Sequence, residues 1–161
     1  MTDSTNKAPD LIKAMMQNEE LISKMYIENA TLFPGDSKFW IAIAKDEMLH
    51  SSWLRELFEM VKQGSVAMES DRFNMESIVS FGAYVANQTN KIRAESASAI
   101  KALSISMDLE NSLLESGIFK VYSSDDQEIK TILGRLQKST EDHYSEIKER
   151  WSTERTNAGI K

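Results

Sequence analysis

Residues 44–54 read AKDEMLHSSWL. Glu47 and His50 stand three apart, so a helix carries both on one side. That side is also the apolar one: Glu47 follows Ile43 by four, and His50 precedes Leu54 by four. An acid and an imidazole therefore point where a helix normally buries hydrocarbon, which is expensive unless the two find partners.

The surrounding chain shows where those partners lie. Apolar residues recur at spacings of three and four through Ile12, Met15, Ile22, Tyr26 and Phe33, one face of a long first helix. Pro34-Gly35-Asp36 stops it, and Asp36 or Ser37 is placed to cap the next. A second stripe runs through Trp40, Ile43, Leu54, Leu57 and Val61 and ends near Gln63-Gly64. The short connection predicts an antiparallel hairpin. Residues 64–73 are polar and irregular, and Ile78, Gly82, Val85 and Ile92 then predict a shorter helix over roughly 74–93. A third long stripe follows Ile100, Leu103, Met107, Leu114 and Val121. Ser123-Ser124-Asp125-Asp126 breaks it, and Ser124 with Gln127 has capping-box spacing for a last helix marked by Ile129, Ile132, Leu136, Ile147 and Trp151. Residues 1–9 and the polar tail from Ser152 are expected to fray. The fold class is all-α: two helical hairpins joined by a long crossover that contains an extra short helix, an antiparallel four-helix bundle in one domain.

Each long stripe is interrupted by an inward polar residue near its middle. Glu19 lies between Met15 and Ile22, Glu110 between Met107 and Leu114, Thr140 four after Leu136, and His143 four before Ile147. At about 1.5 Å of rise per residue, the turn of the first hairpin brings Glu19 level with Glu47 and His50, and the second hairpin matches Glu110 with Thr140 and His143 less closely. The halves form a weak repeat, since Glu19 is 31 residues before His50 and Glu110 is 33 before His143. Such groups must neutralise one another, hold water or bind a cation. Carboxylate oxygens with imidazole nitrogens suit iron, manganese or zinc, and the chain has two histidines, both in these positions.

The segments NEELISKMY (18–26), FWIAIAKDEMLH (39–50), ALSISMDLENSLLES (102–116) and LQKSTEDHYSEI (136–147) resemble the ferritin-like superfamily, most closely its rubrerythrin-like branch. The resemblance covers helix order and motif position over roughly 10–150. It implies a metal centre ligated by Glu19, Glu47, His50, Glu110 and His143, holding one or two iron ions, with zinc or manganese as alternatives. The activity it implies is peroxide or oxygen reduction or iron handling. The sixth family position is a glutamate in the di-metal members and Thr140 here, a neutral hydroxyl that weakens the case for a second ion. Glu115 and Glu146 are candidate substitutes, although Glu115 is five after Glu110, about 140° round the helix. Tyr26, seven after Glu19, is a candidate neighbour of the centre or an ordinary core aromatic. No catalytic residue is assigned.

Composition limits the alternatives. The chain has 161 residues, 19 basic against 25 acidic side chains, and no cysteine. A net charge of −6 argues against a nucleic-acid footprint. Without cysteine there are no disulfides, no thiolate ligands and no rubredoxin-type iron domain of the kind full rubrerythrins carry, so electrons for peroxide reduction have to come from a partner protein. No run of about 18 apolar residues indicates a membrane span, and the N-terminus lacks an apolar export core, so a cytoplasmic address is expected. A second function class stays open: a metal-free bundle whose Glu and His side chains form a buried network and whose crossover stripe (Ile78, Val85, Ile92) pairs with a second copy or a partner.

Overall fold

The computed structural model describes residues 7–68, 74–119 and 126–160. They form helices α1 (Ala8–Leu32), α2 (Ser37–Lys62), α3 (Met75–Ala94), α4 (Ala99–Glu115) and α5 (Gln127–Asn157), with no strand among the described residues. Pro9 sits in the first turn of α1, where the missing N–H would have had no intrahelical acceptor. A single 3-10 turn, Pro34–Asp36, reverses the chain into α2. Gly64 ends α2 with φ 74°, which lets Ser65 N–H reach the Met60 carbonyl at 3.0 Å.

The caps depart from expectation in two places. Asp36 occupies the N-cap position of α2 but makes no cap hydrogen bond; its Oδ1 lies 3.1 Å from Nη1 of Arg150 on α5. The side chain ties the hairpin tip to the last helix instead of closing its own. At the start of α5 the capping side chain is Asp126, which accepts from Glu128 and Ile129 N–H at 2.8 and 3.2 Å. Ser124, assigned that part by spacing, lies outside the described residues, as does Val121. At the other end α5 stays helical to Asn157, past the Ser152 at which polarity predicted fraying.

Side-chain contacts order the helices. Ser23 Oγ donates to the Ala44 carbonyl at 2.8 Å and Ser51 Oγ to Glu20 at 3.2 Å, so α1 and α2 run antiparallel. Asn18 Nδ2 donates to the Ile78 carbonyl at 2.9 Å and Arg93 Nε to Glu28 at 2.7 Å, so α3 runs along α1 in the same direction. Helix α5 packs on α4 and meets α2, with Asp36 near Arg150 and His50 near Ser139 setting those two antiparallel.

The crossover stripe is not an exposed dimerising face. Ile78, Val85 and Ile92 are all buried, and α3 lies against α1. Gly82 in the same stripe makes this approach possible, because a Cβ there would collide with Oδ1 of Asn18. On α4 the buried face is also rotated from the expected one: Leu103 is buried as read, but Leu109 and Leu113 are buried in place of Met107 and Leu114. Apolar residues occupy several sides of α4, so the period alone selects no single face.

The core divides into two apolar clusters. One gathers Leu11, Ile12, Met15, Leu54, Leu57, Ile132 and Leu136; the other gathers Ile22, Tyr26, Trp40, Ile43, Leu103, Leu109 and Ile147. In chain order Glu19, the Glu47/His50 pair and the Thr140/His143 pair each fall between a residue of one cluster and a residue of the other, so a polar layer crosses the bundle where hydrocarbon is interrupted.

Candidate metal centre

Glu19, Glu47, His50, Glu110, Thr140 and His143 are each at most 2 % exposed. Glu47 is central: its Oε2 lies 3.1 Å from Nδ1 of His50, and its Oε1 lies 2.7 Å from Nδ1 of His143. Glu19 flanks one side, Oε2 3.7 Å from Nδ1 of His50, and Glu110 flanks the other, Oε1 3.8 Å from Nδ1 of His143. The two imidazoles stack with ring centres 5.2 Å apart. Three residues, Glu47, His50 and His143, offer ligand atoms that all lie within 4.8 Å of one another.

The candidates that do not join this group are equally clear. Thr140 is buried at its level, but its hydroxyl donates to the Leu136 carbonyl at 2.8 Å, one turn back on its own helix. Glu115 is exposed and accepts from Asn111 at 2.9 Å, and Glu146 is exposed beside Phe39 and Arg150. Neither brings a carboxylate to this layer, because both project from the outer face of their helices. Tyr26 is in contact: its hydroxyl donates to Oε1 of Glu110 at 2.5 Å.

Two contacting residues were not singled out from the sequence. Nε2 of His50 lies 2.7 Å from Oγ of Ser139, and Nε2 of His143 lies 3.4 Å from Oδ2 of Asp46. Both histidines thus turn Nδ1 toward Glu47 and Nε2 toward a partner on the facing helix. The signal was present as a repeat, since KDEMLH (45–50) and KSTEDH (138–143) share Lys-[Asp/Ser]-[Glu/Thr]-x-x-His. A hydroxyl stands wherever the first copy has an acid, which hides the match. Trp53 stacks on His50 at 5.5 Å and closes that side with an aromatic wall.

The electrostatics follow from burial and from Glu47. Burial raises the Glu19 carboxyl to about 8; His50 opposes the shift and the negative Glu47 adds to it. Burial and Glu47 likewise raise Glu110 to about 8 against the influence of His143 and Tyr26. Burial disfavours the charge on Glu47 too, but the contacts of His143 and His50 outweigh it and hold that carboxyl well below the usual range. Desolvation opposes charge on the imidazoles, yet Glu19 and Glu47 raise His50 to about 11, and Glu47 with Glu110 raises His143 to about 9. Burial, reinforced by Glu110, pushes the Tyr26 hydroxyl well above its ordinary value. These shifts all favour a charged Glu47 paired with the two imidazoles and the protonated forms of Glu19 and Glu110.

Hydrogen bonding within the cluster is incomplete. Glu19 Oε2, Glu47 Oε1, Glu110 Oε2 and His143 Nδ1 are buried and lack a well-directed hydrogen bond among the described residues; the 2.7 Å approach of the middle pair is a close contact rather than an aligned bond. Four oxygen and nitrogen atoms of one site share this condition. Buried groups of this kind are seldom left so without a water, ligand or ion to meet them. The donor set, hard oxygens with borderline nitrogens, matches a first-row divalent cation.

No protein-family model, curated protein or solved structure matches this chain. Among the described residues, no helix is long and apolar enough to cross a membrane.

Proposed function

We propose that the chain is a ferritin-like, rubrerythrin-like metal protein that binds iron and reduces peroxide or oxygen. The observation that carries this reading is the buried group of Glu47, His50 and His143, whose ligand atoms all lie within 4.8 Å of one another. Glu47 and the two Nδ1 atoms would hold the ion, and Glu19 and Glu110 flank those imidazoles at 3.7 and 3.8 Å. A bound iron would supply the redox change and open coordination positions for the oxidant.

The protein's own groups supply protons and exclude water. Reduction of hydrogen peroxide to two waters consumes two electrons and two protons. Glu19 and Glu110, whose carboxyls burial raises to about 8 in the metal-free fold, flank the central Glu47, each placed to hold a proton. Tyr26 occupies Oε1 of Glu110, so Oε2 is the atom left to hold and release that proton. The two apolar clusters keep bulk water from this layer. The electrons come from a partner redox protein, because cysteine-bound iron is excluded within the chain. A homodimer in the cytoplasm is part of the same proposal.

Iron-loaded protein supplied with a reductant should consume peroxide. Glu19→Gln and Glu110→Gln should slow turnover with iron content retained, and a His50→Ala, His143→Ala double variant should lose both iron and turnover. Peroxide consumption unchanged in the double variant would refute the assignment. A second reading, a metal-free bundle, draws on the closed hydrogen bonds of Tyr26, Ser139 and Thr140. It predicts no stoichiometric metal in any preparation.

A further inference from the structure

The two helices that supply histidines hold each other's rings. Asp46, the residue before Glu47 on α2, meets Nε2 of His143 on α5; Ser139, the residue before Thr140 on α5, meets Nε2 of His50 on α2. This exchange leaves each Nδ1 facing Glu47, at 3.1 and 2.7 Å. The contacts are reciprocal while the chemistry is one-sided. Helix α2 places two carboxylates at these positions and α5 places two hydroxyls.

We propose that the centre takes one divalent ion, not two, held by Glu47 and the Nδ1 atoms of His50 and His143, with Asp46 and Ser139 as the residues that position the rings. This rests on the metal-binding reading above. Three observations converge on it. Among the described residues, Glu47, His50 and His143 are the three whose ligand atoms all lie within 4.8 Å of one another. The Thr140 hydroxyl is committed to the Leu136 carbonyl and brings no negative charge to the α5 side. Glu19, Glu47 and Glu110 supply at most three negative charges, against four positive charges for two divalent ions in a water-poor layer; one ion is neutralised by Glu47 and either neighbour. Two imidazoles with one carboxylate also leave open positions of the kind found in mononuclear iron oxygenases.

Anaerobic titration of the full chain with ferrous iron, repeated with cobalt(II) so that its visible absorption reports coordination, reads the stoichiometry directly. The expected result is one ion per chain for the wild type, two for Thr140→Glu, and an affinity lowered roughly 10- to 100-fold with stoichiometry kept at one for Ser139→Ala and for Asp46→Asn. Two ions per wild-type chain, or one ion that survives Glu47→Gln undiminished, would overturn the single-ion centre and leave metal binding standing. No ion in either the wild type or a folded Thr140→Glu would remove both readings. Should Thr140→Glu fail to fold, the wild-type count decides alone.

Discussion

Oε1 of Glu47 on α2 lies 2.7 Å from Nδ1 of His143 on α5, so a carboxylate and an imidazole from opposite halves of the chain meet inside the bundle. Neither atom has an aligned hydrogen bond among the described residues, although both are buried. A cation would satisfy both at once. An ion present at about 100 times its dissociation constant should stabilise the fold by ~2.7 kcal/mol. For a domain of this size that corresponds to a rise of ~5–10 °C in Tm. Thermal melts with and without ferrous or zinc ion, followed by chelation, measure it, and Glu47→Gln should abolish the rise.

Without metal, stability should fall as pH rises across the neutral range. Glu19 and Glu110 hold protons in the folded chain up to about 8 but release them near 4.5 when unfolded; their stabilisation is full below 4.5 and lost as pH rises to 8. His50 and His143, raised to about 11 and about 9 from 6.5, act in the same sense, contributing fully below 6.5 and less as pH climbs through those values. Glu47 opposes them only in acid, where its depressed carboxyl loses its contribution as pH falls. Chelated protein should therefore melt higher at about pH 5.5 than at about pH 8.5. Metal-loaded protein should reverse that order, because the ion displaces protons from its ligands.

Thr140→Val keeps the shape of the side chain and removes its hydroxyl. The bond removed is the one to Leu136 on the same helix, whose carbonyl is already an intrahelical acceptor. The expected cost is within about 1 kcal/mol, with metal content unchanged. Urea melts and elemental analysis on one preparation check both; a loss of metal would instead make Thr140 a ligand.

The seating of α3 on α1 depends on Gly82 and Asn18. Asn18 Nδ2 donates to the Ile78 carbonyl, and its Oδ1 lies where a Cβ on Gly82 would go. Gly82→Ala should destabilise by ~1–3 kcal/mol through overpacking. In an Asn18→Ala background the same substitution should cost less, and a double-mutant cycle by urea unfolding reads the coupling.

Helix positions were legible from local periodicity and turn chemistry. Pro34-Gly35-Asp36, Gln63-Gly64 and the stripe from Ile78 to Ile92 mark boundaries that agree with the structure to within a residue or two, since they reflect backbone preferences acting over a few residues. The inward direction of Glu19, Glu47, His50, Thr140 and His143 was legible for the same reason: each sits in register with a buried apolar neighbour, whereas Glu110 is buried although Met107 and Leu114, its flanking residues in that reading, are only half-buried. What one helix buries against another is not encoded at that range. Only the tertiary structure placed the Ile78–Val85–Ile92 stripe against α1, turned Asp36 from its cap to Arg150, and put Glu115 and Glu146 outside. It also brought Asp46 and Ser139 to the far nitrogens of two histidines on facing helices. Spacing sets the face of a helix; the partner across the bundle depends on how whole helices pack, which no local pattern carries.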